Sequence, residues 1–166
     1  MKKNKIVRSR APLRLGLAGG GTDISPYCDQ FGGNVLNVTI NRYAYAIIKK
    51  SNKNCVRFIA ADQSKCYEYP LANRYDLDGY LNLHKAIYNE IIEIYNKGIP
   101  EPIEIITFCE APPGSGLGSS STLVVAMVKA YSEYFNIPLD DYRIAKIAYK
   151  IERVDCGLAG GKQDQY

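Results

Sequence analysis

Three groups of residues have the types and spacings that phosphate chemistry needs. The densest is Pro112-Pro113-Gly114-Ser115-Gly116-Leu117-Gly118-Ser119-Ser120-Ser121. Its alternating glycines remove Cβ atoms, so backbone N–H groups can close on oxygens. A helix starting directly afterwards adds unpaired N–H donors and a positive dipole end. The serines and Thr122 can cap that helix, bind phosphate or reach a magnesium ion. The second group is Arg14 with Gly19-Gly20-Gly21-Thr22-Asp23, a strand cation followed by a tight turn and an acid. It suits a polar ligand, although an arginine on a strand surface looks the same. The third is Glu152 with Asp164, two carboxylates flanking a glycine-rich turn. Phosphoryl transfer needs hard oxygen ligands for a metal and a group that takes or orients the nucleophile's proton. Acids near a helix end are equally at home in solvent.

Familiar nucleotide loops do not fit the first group. A P-loop requires Lys and then Ser/Thr after its glycines, and a Rossmann turn requires glycine where Ser119 stands. Gly157-Leu158-Ala159-Gly160-Gly161-Lys162 echoes a P-loop, but Gln163 replaces the hydroxyl residue and the match reads as chance.

The elements that must position these groups follow from periodicity. Residues 5–17 alternate as a strand, with Pro12 demanding an edge or a bend. A short helix is expected from Thr22 to about Phe31, ended by Gly32-Gly33. Strands are expected near 34–41, 43–50, 55–61 and 65–70, where β-branched residues concentrate. Residues 80–97 read as an amphipathic helix stopped by Gly98 and Pro100. A strand over 103–109 leads into the glycine-serine loop, then helices at about 119–135 and 139–154. Asp140 or Asp141 sits in the first turn of the last one. Residues 157–166 read as loop. Strands early and helices late indicate α+β rather than regular alternation.

Bulk composition narrows the class. A chain of 166 residues, 46% hydrophobic and 23% charged, matches one globular domain. The net charge of +4 is mild, and five basic residues fall among the first ten positions without aromatic interleaving. They read as a solvated start, and no nucleic-acid partner is expected. No apolar run approaches a membrane span, and the basic start lacks the apolar stretch of a signal peptide. Five cysteines without C-x-x-C spacing and a lone histidine, His84, offer no zinc set. Reduced thiols in a cytoplasmic protein are the expectation.

Together and in this order, the three groups resemble the motifs of the GHMP kinase superfamily. Pro113-Gly114-Ser115-Gly116-Leu117-Gly118-Ser119-Ser120 is similar to its second motif almost residue for residue. Ala11-Pro12-Leu13-Arg14 through Thr22-Asp23 is similar to the first motif in its galactokinase style, except that Gly-Glu-His is replaced by Gly19-Gly20-Gly21. Glu152-Arg153 followed by Gly160-Gly161-Lys162-Gln163-Asp164 resembles the segment carrying a metal acid and a catalytic aspartate. The details most resemble the D-glycero-D-manno-heptose 7-phosphate kinase branch.

The resemblance implies a two-layer α+β N-terminal domain, ribosomal protein S5 domain 2-like, with a left-handed β-α-β unit over residues 1–166. A C-terminal domain with a third glycine-rich motif would lie outside this chain, and the 166 residues alone would have little activity. It implies Asp164 and Arg14 as catalytic residues. Pro113, Gly114, Ser115, Gly116, Leu117, Gly118, Ser119, Ser120 and Ser121 would hold ATP, and Ser120 and Glu152 would hold Mg2+. Asp23 would bind a substrate hydroxyl, with Gly20, Gly21 and Thr22 beside it, on a sugar phosphate phosphorylated at its anomeric oxygen for surface polysaccharide. Arg10, Arg14 and Lys162 are candidates for that sugar's own phosphate, and read equally as solvated charges. Another GHMP kinase, for galactose, fucose or mevalonate, and a regulator that has lost catalysis stay open. So do the oligomeric state, a homodimer included, and whether Asp164 removes a proton or only orients the hydroxyl.

Overall fold

The alternation over residues 5–17 becomes β1 (Ile6–Ala18), which pairs only with β2 and so occupies a sheet edge. A computed structural model describes residues 5–166 of the chain; Lys2 and Lys3 of the basic start lie outside the described residues. β2 (Leu36–Lys50), β3 (Cys55–Ala60), β4 (Lys65–Pro70) and β5 (Ile103–Cys109) complete a five-stranded sheet of order β1-β2-β5-β3-β4. All pairings are antiparallel except β3 with β5. A parallel pair needs a crossover, and helix α2 (Asn82–Glu90) lies on the connection that supplies it.

The expected strands at 34–41 and 43–50 are one strand. Pro12 pairs with Tyr43, but Arg14 pairs with Thr39, so β2 carries extra residues opposite Leu13. The polar pair Asn41-Arg42 marks this bulge rather than a turn, and the strand continues through it. The bend expected at Pro12 is the same irregularity. The helix expected over 22–31 also divides. Gly20–Asp23 forms a 3-10 turn and α1 is Tyr27–Phe31. Pro26 stands between them without an N–H to continue a ladder.

α3 (Ser119–Phe135) and α4 (Asp141–Tyr149) match the expected helices. Asp140 caps α4 by accepting from the Arg143 N–H at 2.8 Å. α2 and α4 both end in a wider π turn, at Ile91–Tyr95 and Lys150–Asp155. The second of these turns carries Glu152.

The helices pack on one face of the sheet. Leu13, Ala44, Ala46, Ile48, Val56, Phe58 and Ile105 meet Ile87, Val124, Met127, Tyr131, Ile147 and Ile151 in a single buried cluster. Ala44 and Ala46 leave room for α3 to lie close against β1 and β2. The opposite face carries Arg8, Arg10, Tyr43, Tyr45 and Phe108, with the Arg10 guanidinium 4.5 Å from the Tyr43 ring centre. This two-layer α+β arrangement delivers the ends of β1 and β5 and the start of α3 to one place.

Candidate functional site

The loop between β5 and α3 turns on glycines. Gly114, Gly116 and Gly118 have φ of 78°, 74° and 73°, values that L side chains adopt only with strain. Gly118 is the most constrained. A Cβ there would lie 3.3 Å from the Asp164 carboxylate and 3.5 Å from Arg14 Nε. α3 begins at Ser119 with no side-chain cap, so its first-turn N–H groups are open to an anion. The serines do not cap it as expected. Ser120 Oγ donates to Glu152 Oε1 at 2.9 Å, while Ser121 is buried and accepts from Arg153 Nη2 at 3.3 Å. Ser121 is thereby turned into the protein, away from a phosphate on the loop.

Arg14 ties the loop to the far carboxylate. Its backbone N–H donates to Leu117 O at 3.2 Å and its Nη1 to Gly116 O at 2.6 Å. Its Nε donates to Asp164 Oδ1 at 2.6 Å, and Nη2 forms an ion pair with the same oxygen. The two side chains keep 16% and 17% of their surface open, enough to meet a ligand without being bathed in solvent. The irregularity beyond Pro12 lies directly before Arg14 in β1.

Glu152 lies beside this pair and is 2% exposed. A buried carboxylate must be partnered, and this one is. Oε1 accepts from Ser120, Oε2 accepts from Gln165 Nε2 at 2.7 Å, and Arg153 Nη1 stands 3.6 Å from Oε1. Ser120 Oγ and Glu152 Oε1 are hard oxygen donors lying together beside the loop, which fits the ligand preference of Mg2+.

The remaining expected residues divide. Asp23 reaches the site, but its Oδ2 is engaged by the backbone N–H groups of Lys162 and Gln163, at 2.5 and 2.8 Å. Thr22 Oγ1 donates to Gly19 O at 2.7 Å and accepts from Asn34 N at 3.0 Å. It staples the turn to the start of β2 rather than facing a ligand. Gly20 and Gly21 form that turn, and the Gln163 amide packs against Gly20. Lys162 is exposed, with Nζ 5.9 Å from the Tyr149 ring centre. Arg10 is not brought to the site. It precedes the bulge and lies on the sheet face opposite the helices.

Three residues were missed. Arg153 and Gln165 hold the site from behind. Asp62 Oδ1 is buried without a partner, and Asp62 borders a cavity of about 170 Å3 with Leu83, Pro113, Ser119 and Leu123. Its position in a short polar gap resembled an ordinary turn. Beside Glu152 and Asp155, burial pushes the Cys156 thiol up to about 11, so it stays protonated and unreactive at neutral pH.

Comparison with known proteins identifies the fold's family. A model of the GHMP kinases N terminal domain matches residues 82–166. The D-glycero-alpha-D-manno-heptose 7-phosphate kinase of Campylobacter jejuni is 47% identical over 162 residues, covering 98% of this chain and 48% of that protein. The crystal structure of a D-glycero-D-manno-heptose 1-phosphate kinase from Bacteroides thetaiotaomicron superposes with a TM-score of 0.91 at 51% identity, covering 96% of this chain and 52% of the other. The Lactococcus lactis galactokinase complexed with galactose shares the fold at a TM-score of 0.76 and 22% identity, covering 97% and 41%. The chain spans about half the length of the curated heptose kinase it matches. With the family model matching over half of its residues, the chain belongs to the GHMP kinases.

Proposed function

We propose that this chain is the nucleotide-binding half of an ATP-dependent sugar kinase acting on the anomeric hydroxyl of D-glycero-D-manno-heptose 7-phosphate. The observation that carries the proposal is the Arg14–Asp164 pair, anchored on the phosphate loop beside the Ser120–Glu152 oxygens. Similarity to two heptose kinases at 47% and 51% identity supports the choice of sugar.

The chemistry follows from the residues. The open amides at Gly114 to Ser120 cradle the ATP phosphates at the positive end of α3. Asp164 accepts the proton of the anomeric hydroxyl, or orients it, as the sugar oxygen bonds to the γ-phosphorus. The bond from that phosphorus to the ADP oxygen breaks. Arg14 spreads its positive charge over the transferred group, which is where most of the rate arises in phosphoryl transfer. Mg2+ held by Ser120 and Glu152 supplies charge neutralisation on the phosphates when bound. Asp23 keeps Oδ1 for a sugar hydroxyl, and exposed Lys162 is available to the substrate's own phosphate. The reaction belongs in the cytoplasm with the ATP pool, and its bisphosphate product serves nucleotide-activated heptose for surface polysaccharide.

The test is an assay of the full-length kinase with ATP and a panel of heptose 7-phosphate, galactose, fucose and mevalonate. The expected result is a kcat/KM for heptose 7-phosphate about 10²-fold or more above the others. A preference for any phosphate-free acceptor overturns the assignment.

A further inference from the structure

The segment 157–164 ends on Asp164, yet no regular secondary structure aims it. Two side chains of opposite charge hold it instead. Arg153 takes its carbonyls: Nη1 donates to Ala159 O at 2.9 Å and Leu158 O at 3.4 Å, and Nε donates to Gly161 O at 3.3 Å. Nη2 reaches back to Ser121 on α3 at 3.3 Å. Asp23 takes the next N–H groups, those of Lys162 and Gln163. The carbonyl run ends at residue 161 and the N–H run begins at 162, so the clamp changes sign immediately before Asp164.

The two glycines at the changeover are the ones the clamp requires. Gly160 has φ of 145°, and a Cβ on it would sit 2.6 Å from the Arg153 guanidinium carbon. A Cβ on Gly161 would collide with the carboxylate and the backbone carbonyl of Asp23. Each glycine lets the main chain pass against one jaw.

We propose that Arg153 and Asp23 are positioning residues that fix Asp164 by holding its segment from both sides. The proposal rests on Asp164 being the reacting carboxylate. Arg153 is not free to bind substrate, since its side chain is 10% exposed and its donors face carbonyls, a hydroxyl and the Glu152 carboxylate of the protein. A planar guanidinium can meet several carbonyls at once, whereas a lysine ammonium offers a point charge. Misplacing a reacting group by about 1 Å costs on the order of 10²-fold in rate.

The experiment uses the full-length kinase with ATP and its preferred sugar. Arg153→Leu should lower kcat about 10²-fold while the KM values for ATP and sugar move less than about twofold. Arg153→Lys should recover only part of that loss. Gly160→Ala should lower kcat as well, and the double variant Arg153→Leu/Gly160→Ala should lose less than the product of the two single losses, because both act on one contact. Asp23→Ala should lower kcat, and Asp23→Asn, which keeps an acceptor oxygen, should restore most of it. If Arg153→Leu fails to fold, Arg153→Lys and Gly160→Ala carry the test, each checked by circular dichroism for a folded protein at the assay temperature. Unchanged kcat in these variants, or independent multiplication in the double variant, overturns the role of Arg153. An unchanged kcat in Asp23→Ala, whatever the sugar KM does once Oδ1 is lost, overturns the role of Asp23 in the clamp. Asp164→Ala is the control that separates the two levels. Full turnover there sinks the catalytic assignment itself, whereas loss there with unchanged Arg153 and Gly160 variants sinks the clamp alone.

Discussion

Two glycine-rich segments meet at this site, and they use glycine for opposite ends. In Gly114–Gly118, three left-handed glycines lead to a helix whose first N–H groups lack a side-chain cap. In residues 157–164, part of the backbone is already engaged, three carbonyls by Arg153 and the N–H groups of Lys162 and Gln163 by Asp23. The first segment presents a backbone to a ligand. The second ties its backbone to side chains of the protein in order to present one side chain. A string of glycines therefore says that main chain comes close to something, and only the partners decide whether that something is substrate or protein.

The largest expected effect separates the two functions outright. In the full-length kinase, Asp164→Ala should reduce kcat by about 10²–10⁴-fold, the usual worth of a general acid–base group. ATP affinity, measured by calorimetry, should change little, because Asp164 does not build the open amides of the first loop. A large loss of ATP binding with modest loss of kcat would mean that the second segment serves the nucleotide, and the contrast between the segments would fail.

The segments also rest on different foundations. The first follows β5, and β5 is anchored to α2 through His84. The Thr107 hydroxyl donates to Ile59 O at 3.2 Å, so the contact between His84 Nε2 and Thr107 Oγ1 at 2.9 Å has the ring N–H donating. His84 Nδ1 is left buried and unpartnered, and burial lowers the pKa of the ring to about 4 from 6.5. The unfolded chain protonates this histidine first. Its contribution to stability is fully present above about pH 6.5 and is lost as pH falls towards 4, a difference of about 3 kcal/mol. Urea unfolding at pH 7 and pH 4.5 should show that loss, and His84→Asn should remove most of it relative to the native protein. An identical pH dependence in both proteins would show that the ring is not held neutral. The clamped segment, resting on Arg153 and Asp23, gains nothing from this histidine.

How much could be foreseen follows the same division. β5 and α3 carry local signals, a β-branched run, a Pro-Pro-Gly break and a long apolar face, and both lie where those signals put them. The loop between them was legible because its chemistry is in its own backbone. β2 was misread as two strands because a bulge opposite Leu13 looks like a polar gap when its partner strand is unknown. Asp23 has a local pattern for a polar ligand, but nothing local shows that its Oδ2 takes N–H groups 139 and 140 positions away. Arg153 looked like one more charge at a helix end. Gln165 had no pattern at all, since its meaning lies wholly in one contact with Glu152. Chemistry written in local spacing is readable. Chemistry made by closing the fold is not.

A moderate effect probes how far the two segments interlock. Gly118 belongs to the first, yet its missing Cβ leaves room for the carboxylate of the second. Gly118→Ala forces a side chain into a left-handed φ of 73°, at about 1–3 kcal/mol, and presses on the Arg14–Asp164 pair. It should lower kcat about tenfold or more and weaken ATP binding as well, whereas Gly160→Ala should spare ATP binding. Equal effects of the two substitutions on ATP affinity would erase the distinction drawn here.

The smallest expected effect concerns a residue that belongs to neither segment. Arg10 shares β1 with Arg14, and both are candidates for the substrate's phosphate from their sequence positions. The irregularity after Pro12 separates them. Arg14 reaches the loop, while Arg10 lies over the Tyr43 ring on the face away from the helices. An exposed cation over an aromatic face is worth about 0.5–1 kcal/mol, so Arg10→Ala should cost a little stability. The KM for the sugar phosphate in the full-length kinase should stay within about twofold, since an uncontacted charge adds only screened attraction at physiological salt. A rise of tenfold or more in that KM, with melting temperature unchanged, would bring the outer sheet face into the substrate site and extend the site beyond the two glycine segments.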